Sequence, residues 1–430
     1  MRLAISPKAV FFYIVSPVII AATFVTFELN ADRHPDPLLA HAETIAEVRR
    51  LILYQHVDDV TDEAMLTGAL SGMVRATGDA YGTYLDAKAY EAISADNDGE
   101  FGGLGVRISL QDGELTVISP IYGTPAARAG LRPQDKIVAI DGTSTERFTT
   151  DLAMQHLRGK PGTKVTITIL RQGAPRFDVT LEREVIKVAS VKWPRIVDRE
   201  RGLGYVHLSQ FQEHSAEHLE QAVKDLMAQG MKALVLDLRG NPGGLLEQAG
   251  KCADLFLESG VIVTTRGRHK RDDVVIEAKG PGTIVDLPIA VLIDEGSASA
   301  SEILAGALQD HRRALVVGER SYGKGSVQSI FPLADKKTGV KLTTAYYYTP
   351  SGRNISRTAT SRGGIAPDLP VALSASERTD VRHERDQLEL EETGSLPAAA
   401  RRVYRDPQLE AALGALRGER RYGTAGSGSK

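Results

Sequence analysis

The residues best equipped to do chemistry are a serine and a lysine, Ser299 and Lys324. A serine hydroxyl is a poor nucleophile until a base removes its proton. A lysine can be that base only when neutral, so desolvation must bring its pKa down from about 10.4 toward neutrality. The setting of Lys324 suits this, because Gly323 and Gly325 let neighbouring backbone crowd in on both sides. Gln328 can orient the amine through a hydrogen bond without adding charge. Together the three suggest a hydrolase that works through a Ser-Lys pair.

The surrounding elements fit that chemistry. The run Pro288-Ile-Ala-Val-Leu-Ile-Asp294 has the length and apolar content of a buried strand. Small residues follow to Ser301, and then good helix formers to Asp310. Strand, tight turn and helix lift a hydroxyl above a sheet edge beside a helix N-terminus. A second strand, residues 314–318, leads into the lysine segment.

Three plainer readings compete. Ser299-Ala-Ser-Glu302 spells a capping box, in which the serine only satisfies helix-end amides. The lysine and glutamine nearby favour the chemical reading. Residues 318–326 nearly spell a phosphate-binding loop, but Gly325 stands where that motif needs Ser or Thr, and residues 327–332 read as extended. His311 as the base would lie on the order of 18 Å from Ser299 along a helix, so a solvated helix-end histidine is expected there.

The chain has 430 residues, enough for two or three domains. A formal net charge of -3 gives no basic excess for nucleic acid. The single cysteine, Cys252, permits no internal disulfide and reads as a core residue of a helix over 245–257. Residues 9–27 carry no charge and approach the roughly 20 needed to span a bilayer. With Arg2 and Lys8 before them, they are expected to be an uncleaved anchor with the rest of the chain outside. A cleaved signal peptide is the alternative, although no small-x-small site is evident. Apolar spacing predicts helices over 41–54 and 61–77.

Residues 101–185 show short strands punctuated by Asp141-Gly142 and Gln172-Gly173. From Gly202 strands and helices alternate, which indicates an α/β core. Asp237-Leu-Arg-Gly-Asn-Pro-Gly-Gly244 sits at a strand's C-terminal end, where open α/β sheets place ligands. Residues 374–394 are polar and highly charged and are expected to be exposed, and residues 406–416 form a helix.

Gly296-Ser-Ala-Ser-Ala-Ser-Glu-Ile303 and Tyr322-Gly-Lys-Gly-Ser-Val-Gln328 resemble the carboxyl-terminal processing (tail-specific) proteases, with the family's spacing between serine and lysine. Phe101-Gly-Gly-Leu-Gly-Val106, followed in order by Ser119-Pro, Pro125-Ala-Ala, Ala129-Gly-Leu131 and Ile140-Asp-Gly142, resembles a PDZ domain. The likeness runs from about residue 42 to 373, although Gly78-Asp-Ala-Tyr-Gly-Thr-Tyr84 departs from the family's Leu-Asp-Pro-His pattern.

The resemblance implies a ClpP/crotonase-like α/β protease core at 186–373, an inserted PDZ-like β-rich domain at 99–185 and N-terminal helices at 38–98, often used for dimerisation in the family. The anchor or signal sequence would occupy 1–30 and a charged tail 374–430. Carried over, Ser299 is the nucleophile, Lys324 the general base and Gln328 its orienter. The N–H groups of Gly244 and Ala300 would form the oxyanion hole, with Gly243 open as the alternative. Gly102, Gly103, Leu104, Gly105 and Val106 would receive a substrate's C-terminal carboxylate, the peptide adding as a strand. Arg158, whose plainer reading is a solvated surface arginine, would tie the PDZ domain to the core and gate it. No metal or other cofactor is implied. Partners would be protein or peptide substrates, the inner membrane with the catalytic domain in the periplasm or another extracytoplasmic space, and a second copy or an adaptor. The rival expectation is a membrane-anchored PDZ scaffold on a degenerate protease fold.

Overall fold

The computed structural model describes residues 41–98, 100–111, 113–121, 123–284, 286–392 and 401–418. The expected anchor lies outside them, and no helix among the described residues is long and apolar enough to cross a membrane.

The chain divides into two units at residue 76. The first holds α1 (Ala42–Gln55) and α2 (Asp62–Arg75). Thr61 caps α2 by accepting from Ala64 N–H at its Oγ1. Ile45, Val48, Leu51 and Leu66 stay exposed on this pair.

The second unit begins with β1 (Thr83–Leu85) and α3 (Ala87–Asp98), then enters the PDZ-like part. That part runs β2 (Glu100–Gly103), β3 (Val106–Gln111), β4 (Glu114–Pro120), α4 (Pro125–Arg128), β5 (Lys136–Ile140), β6 (Thr143–Ser144), α5 (Thr150–Leu157), β7 (Lys164–Leu170), β8 (Phe177–Glu182) and β9 (Glu184–Lys187). Its antiparallel sheet has the order β3-β4-β5-β7-β8, so β3 is an edge strand. On β7 every second residue is buried, Val165, Ile167 and Ile169, as a half-buried strand requires. A two-stranded pairing of β2 with β9 brings the start and end of the insertion together.

The core follows with β10 (Val191–Asp198), β11 (Leu203–Leu208), α6 (Ser215–Ala228), β12 (Ala233–Asp237), α7 (Leu246–Asp254), β13 (Val261–Gly267), β14 (Val274–Glu277), β15 (Ile289–Ile293), α8 (Ala300–Asp310), β16 (Ala314–Gly318), β17 (Ser326–Pro332), β18 (Gly339–Tyr348) and β19 (Leu369–Pro370). β11, β12, β15, β16 and β19 are parallel neighbours, with β10 antiparallel at one edge. Every residue of β12 and β15 is buried, the pattern of a parallel sheet covered on both faces. Apolar residues of α6, α7 and α8 fill one side, Cys252 among them. A second antiparallel sheet carries β1, β13 and β17 around β18.

The other face of the parallel sheet is covered by α10 (Pro407–Leu416), which follows α9 (Ala375–Glu392). Here one expectation needs correction. The charged stretch 374–394 is not a loose exposed tail: α9 buries Gln387, Leu388 and Glu389. Ion pairs explain why so polar a helix docks, since Arg378 meets Glu319, Arg385 meets Asp237, and Glu389 meets both Arg107 and Lys192.

Candidate active site

β15 ends at Ile293, and α8 starts at Ala300 with Ser299 as its N-cap. Ser299 has φ 56°, a left-handed conformation that a side chain rarely adopts and that costs on the order of 1–3 kcal/mol. The surroundings hold it there. Asp294 Oδ1 accepts from Gly240 N–H and Gly296 N–H, and Ser297 Oγ donates to Leu238 O at 2.8 Å. Asn241, fully buried, accepts at its carbonyl from Ala298 N–H and Ser301 Oγ, while its amide donates to Leu208 O. The serine turn and the 237–244 loop are therefore laced together.

The capping-box reading of Ser299 and Glu302 is half of what the structure holds, and the other half links the lysine. The Glu302 carboxylate is fully buried and accepts from four donors: Ser299 N–H at 2.8 Å, Ser321 Oγ at 2.5 Å, Gly323 N–H at 2.7 Å and Lys324 N–H at 2.9 Å. Burial pushes its pKa up, and those donors pull against the rise. One carboxylate thus fixes the backbone of both the serine and the lysine.

Lys324 is half-buried, and its Nζ stands 5.1 Å from the centroid of the Tyr81 ring. Burial lowers its pKa, Lys341 lowers it further by repulsion, and Glu302 opposes both. Among the described residues no hydrogen bond joins Lys324 Nζ to Ser299 Oγ or to Gln328. Gln328 instead donates from Nε2 to Ser326 Oγ at 2.8 Å and more weakly to Ser326 O and Thr343 Oγ1. His311 closes α8 and sits 2.7 Å from Val261 O, tied to backbone rather than solvated.

Backbone donors at the serine also sort themselves. Gly243 N–H donates to Asn241 Oδ1 at 2.9 Å. The N–H groups of Gly244 and Ala300 make no hydrogen bond among the described residues. Gly243 faces Ser299 so closely that a Cβ on it would lie 2.8 Å from Ser299 Cβ. Beneath the loop, burial works against ionisation of Asp237, but Arg239 and Arg385 outweigh it and hold its carboxyl well below the usual range. Arg239 pairs with Asp237 and with Asp406 at the start of α10.

In the PDZ-like part, Gly105 has φ 68°, and a Cβ there would lie 2.3 Å from Thr124 Cβ. Its carbonyl accepts from Ile121 N–H and Thr124 Oγ1, and Leu104 O accepts from Ala126 N–H. Gly102 O accepts from Gly159 N–H, and Gly103 pairs with Glu184 in the β2–β9 ladder. Val106 then opens edge strand β3, which lies alongside α5. Arg158, the C-cap of α5, places its guanidinium 4.3 Å from the centroid of Phe101. The carbonyls at the end of that helix are satisfied by Arg183, which donates to His156 O and Leu157 O.

Sequence reading missed Glu302 as a brace, Asn241 and Arg183. Glu302 was visible only as a helix cap and the other two only as polar residues, because their remaining partners lie in distant segments.

Comparison with known proteins agrees with a PDZ-bearing serine peptidase. Residues 202–371 match the model of peptidase family S41, residues 102–181 a PDZ domain, and residues 26–89 the N-terminal domain of the activating protease CtpB. The chain is 37% identical over 429 residues to the carboxy-terminal-processing protease of Bartonella bacilliformis, covering 96% of each. It is 33% identical over 320 residues to the carboxy-terminal processing protease CtpA of Bacillus subtilis, covering 74% of this chain and 66% of that one. Among solved structures, an S41 protease from Bacteroides fragilis matches with TM-score 0.50 at 16% identity, covering 86% of this chain and 93% of that one. The chain belongs to the carboxy-terminal processing proteases of peptidase family S41.

Proposed function

We propose that this protease cuts protein substrates near their C-termini through an acyl-enzyme on Ser299, with Lys324 as the base. The observation that carries this reading is the Glu302 carboxylate, which receives both Ser299 N–H and Lys324 N–H. Neutral Lys324 takes the Ser299 proton as Oγ attacks the scissile carbonyl, and the resulting ammonium gives that proton to the departing amine. Water, deprotonated in the same way, then hydrolyses the ester. For the first step Lys324 Nζ must swing from Tyr81 toward Ser299, and Gln328 must turn to receive it.

Gly244 and Ala300 are the preferred oxyanion donors, because Gly243 N–H is already committed to Asn241. Such a donor typically contributes about 10²-fold to 10³-fold in rate. The PDZ loop at 102–106 binds a substrate's C-terminal carboxylate, and Arg158 couples that event to the core. A ligand shifts such an equilibrium only by its differential affinity for the two states.

Residues 9–27 anchor the chain, with the catalytic part outside the cytoplasm, and the exposed apolar face of α1 and α2 suits a second copy or an adaptor. Retention of the full-length protein by membranes after carbonate washing supports the anchor, whereas a soluble form starting near residue 30 contradicts it. For the chemistry, Ser299→Ala and Lys324→Ala are each expected to abolish cleavage of an unstructured polypeptide while circular dichroism stays unchanged. Full activity in Lys324→Ala contradicts the dyad.

A further inference from the structure

Beside the lysine lies a cleft of about 670 Å³ that the peptidase reading leaves without a role. It exists because of an interruption in the second sheet. β1 pairs with β18 at residues 339–341, and β13 pairs with the same edge at residues 345–348. Residues 342–344 of that edge are left between them without a strand partner. The 77–81 segment crosses there, with Asp79 accepting from Thr343 N–H and Oγ1. One wall of the cleft is Gly323, Gly325 and Ser326, the immediate neighbours of Lys324. Another is Tyr81, the ring over which Lys324 Nζ stands.

The charge of this cleft is one-sided. Arg266, Arg268 and Arg357 line it, against a single lining carboxylate, Asp79. Asp79 accepts from Tyr81 N–H and from Thr343 N–H and Oγ1 and keeps its negative charge, so the lining carries three positive charges against one negative. All three arginines are exposed, and among the described residues none forms an ion pair. Arg266 Cζ stands 4.4 Å from the centroid of the Tyr348 ring and Arg357 Cζ 5.1 Å from that of Tyr322. A guanidinium held over a ring face this way makes a cation–π contact and still has N–H donors for a carboxylate. Glu302 makes its four hydrogen bonds behind the lysine loop and does not line the cleft.

We propose that this cleft holds the substrate chain next to the scissile bond and selects segments bearing aspartate or glutamate. The proposal rests on the Ser299–Lys324 reading for its meaning in catalysis, but the binding preference stands on the cleft alone. A net positive lining, three guanidiniums against one carboxylate, raises the local concentration of acidic peptide and penalises a basic one.

The test uses the full chain in detergent with Ser299→Ala, so that bound peptide is not consumed. Three fluorescent, unstructured peptides of equal length are compared, carrying aspartate, alanine or lysine at alternate positions. All are amidated at the C-terminus, which denies the PDZ loop its carboxylate. At low salt the aspartate peptide is expected to bind about tenfold tighter than the lysine peptide, and added salt should narrow the gap. In R266Q/R268Q/R357Q the two should come within about twofold, and the arginine-to-lysine triple variant should recover most of the preference. Equal binding of the three peptides by the parent, or an unchanged acidic preference in R266Q/R268Q/R357Q, overturns the proposal. Cleavage is scored separately with Ser299 present: acidic peptides bound but never cut contradict the peptidase reading and leave the cleft preference standing.

Discussion

The serine turn and the PDZ loop both rest on a residue with positive φ, Ser299 at 56° and Gly105 at 68°, yet they are built in opposite ways. At Gly105 the residue itself removes the strain, and the loop is held by a few bonds to its carbonyls. At Ser299 a serine stands in place of glycine, so the strain stays and is balanced by polar groups of the turn and of the 237–244 loop: the carboxylates of Asp294 and Glu302 and the backbone carbonyl of Asn241. The strained turn is braced by carboxylates that also reach other segments, Asp294 to Gly240 N–H and Glu302 to the lysine loop. A site that must admit a varied peptide needs only a glycine and an open strand edge.

That contrast can be broken at either end. The largest effect is expected from the reacting groups, with Ser299→Ala or Lys324→Ala lowering kcat by about 10³-fold or more. Next comes the brace. Glu302→Gln keeps the shape but loses the charge and turns one acceptor into a donor facing N–H groups. Cleavage should fall about 10-fold to 100-fold, while peptide binding to the PDZ loop is unchanged. Glu302→Ala should in addition destabilise the core by about 1–3 kcal/mol in denaturant unfolding.

At the other site, Gly105→Ala meets both the φ and the Thr124 contact. Affinity for peptides with a free C-terminus should drop about tenfold, whereas cleavage that does not depend on that carboxylate persists. A smaller and more selective change is expected from Arg158→Ala. Peptide binding, read by fluorescence anisotropy, should stay within about twofold while activation of cleavage by that peptide weakens. Unaltered dependence of the variant on a free C-terminus removes the gating role from Arg158. The smallest effects belong to Gln328→Ala, a partial loss, and His311→Ala, which should leave kcat/KM nearly unchanged.

Much of this was legible in the chain. Buried strands announced themselves as unbroken apolar runs, and β15 occupies residues 289–293, within the run read from sequence. Ser299 and Lys324 stood out because their chemistry demands an unusual setting of small residues. Glu302 did not, since a capping glutamate looks the same whether it serves three local residues or also grips a loop some twenty residues on. The same holds for α9: its charges read as solvated, because Arg385 and Glu389 find Asp237, Arg107 and Lys192 only after folding. Local periodicity reveals elements. Buried polar pairs between distant segments leave no local trace.

The most direct test of a lysine base is the pH dependence of kcat/KM on a peptide without titrating groups between pH 5 and 11. Burial lowers the pKa of Lys324, and only its neutral form can accept the Ser299 proton, so activity should rise with pH. The half-point should lie below the ordinary lysine value of about 10.4 and fall further in Glu302→Gln, because the carboxylate that opposes the lowering is gone. A half-point near 6.5 that disappears in His311→Ala, with Lys324→Ala still active, would mean that a histidine is the base and that the Ser299–Lys324 assignment is wrong.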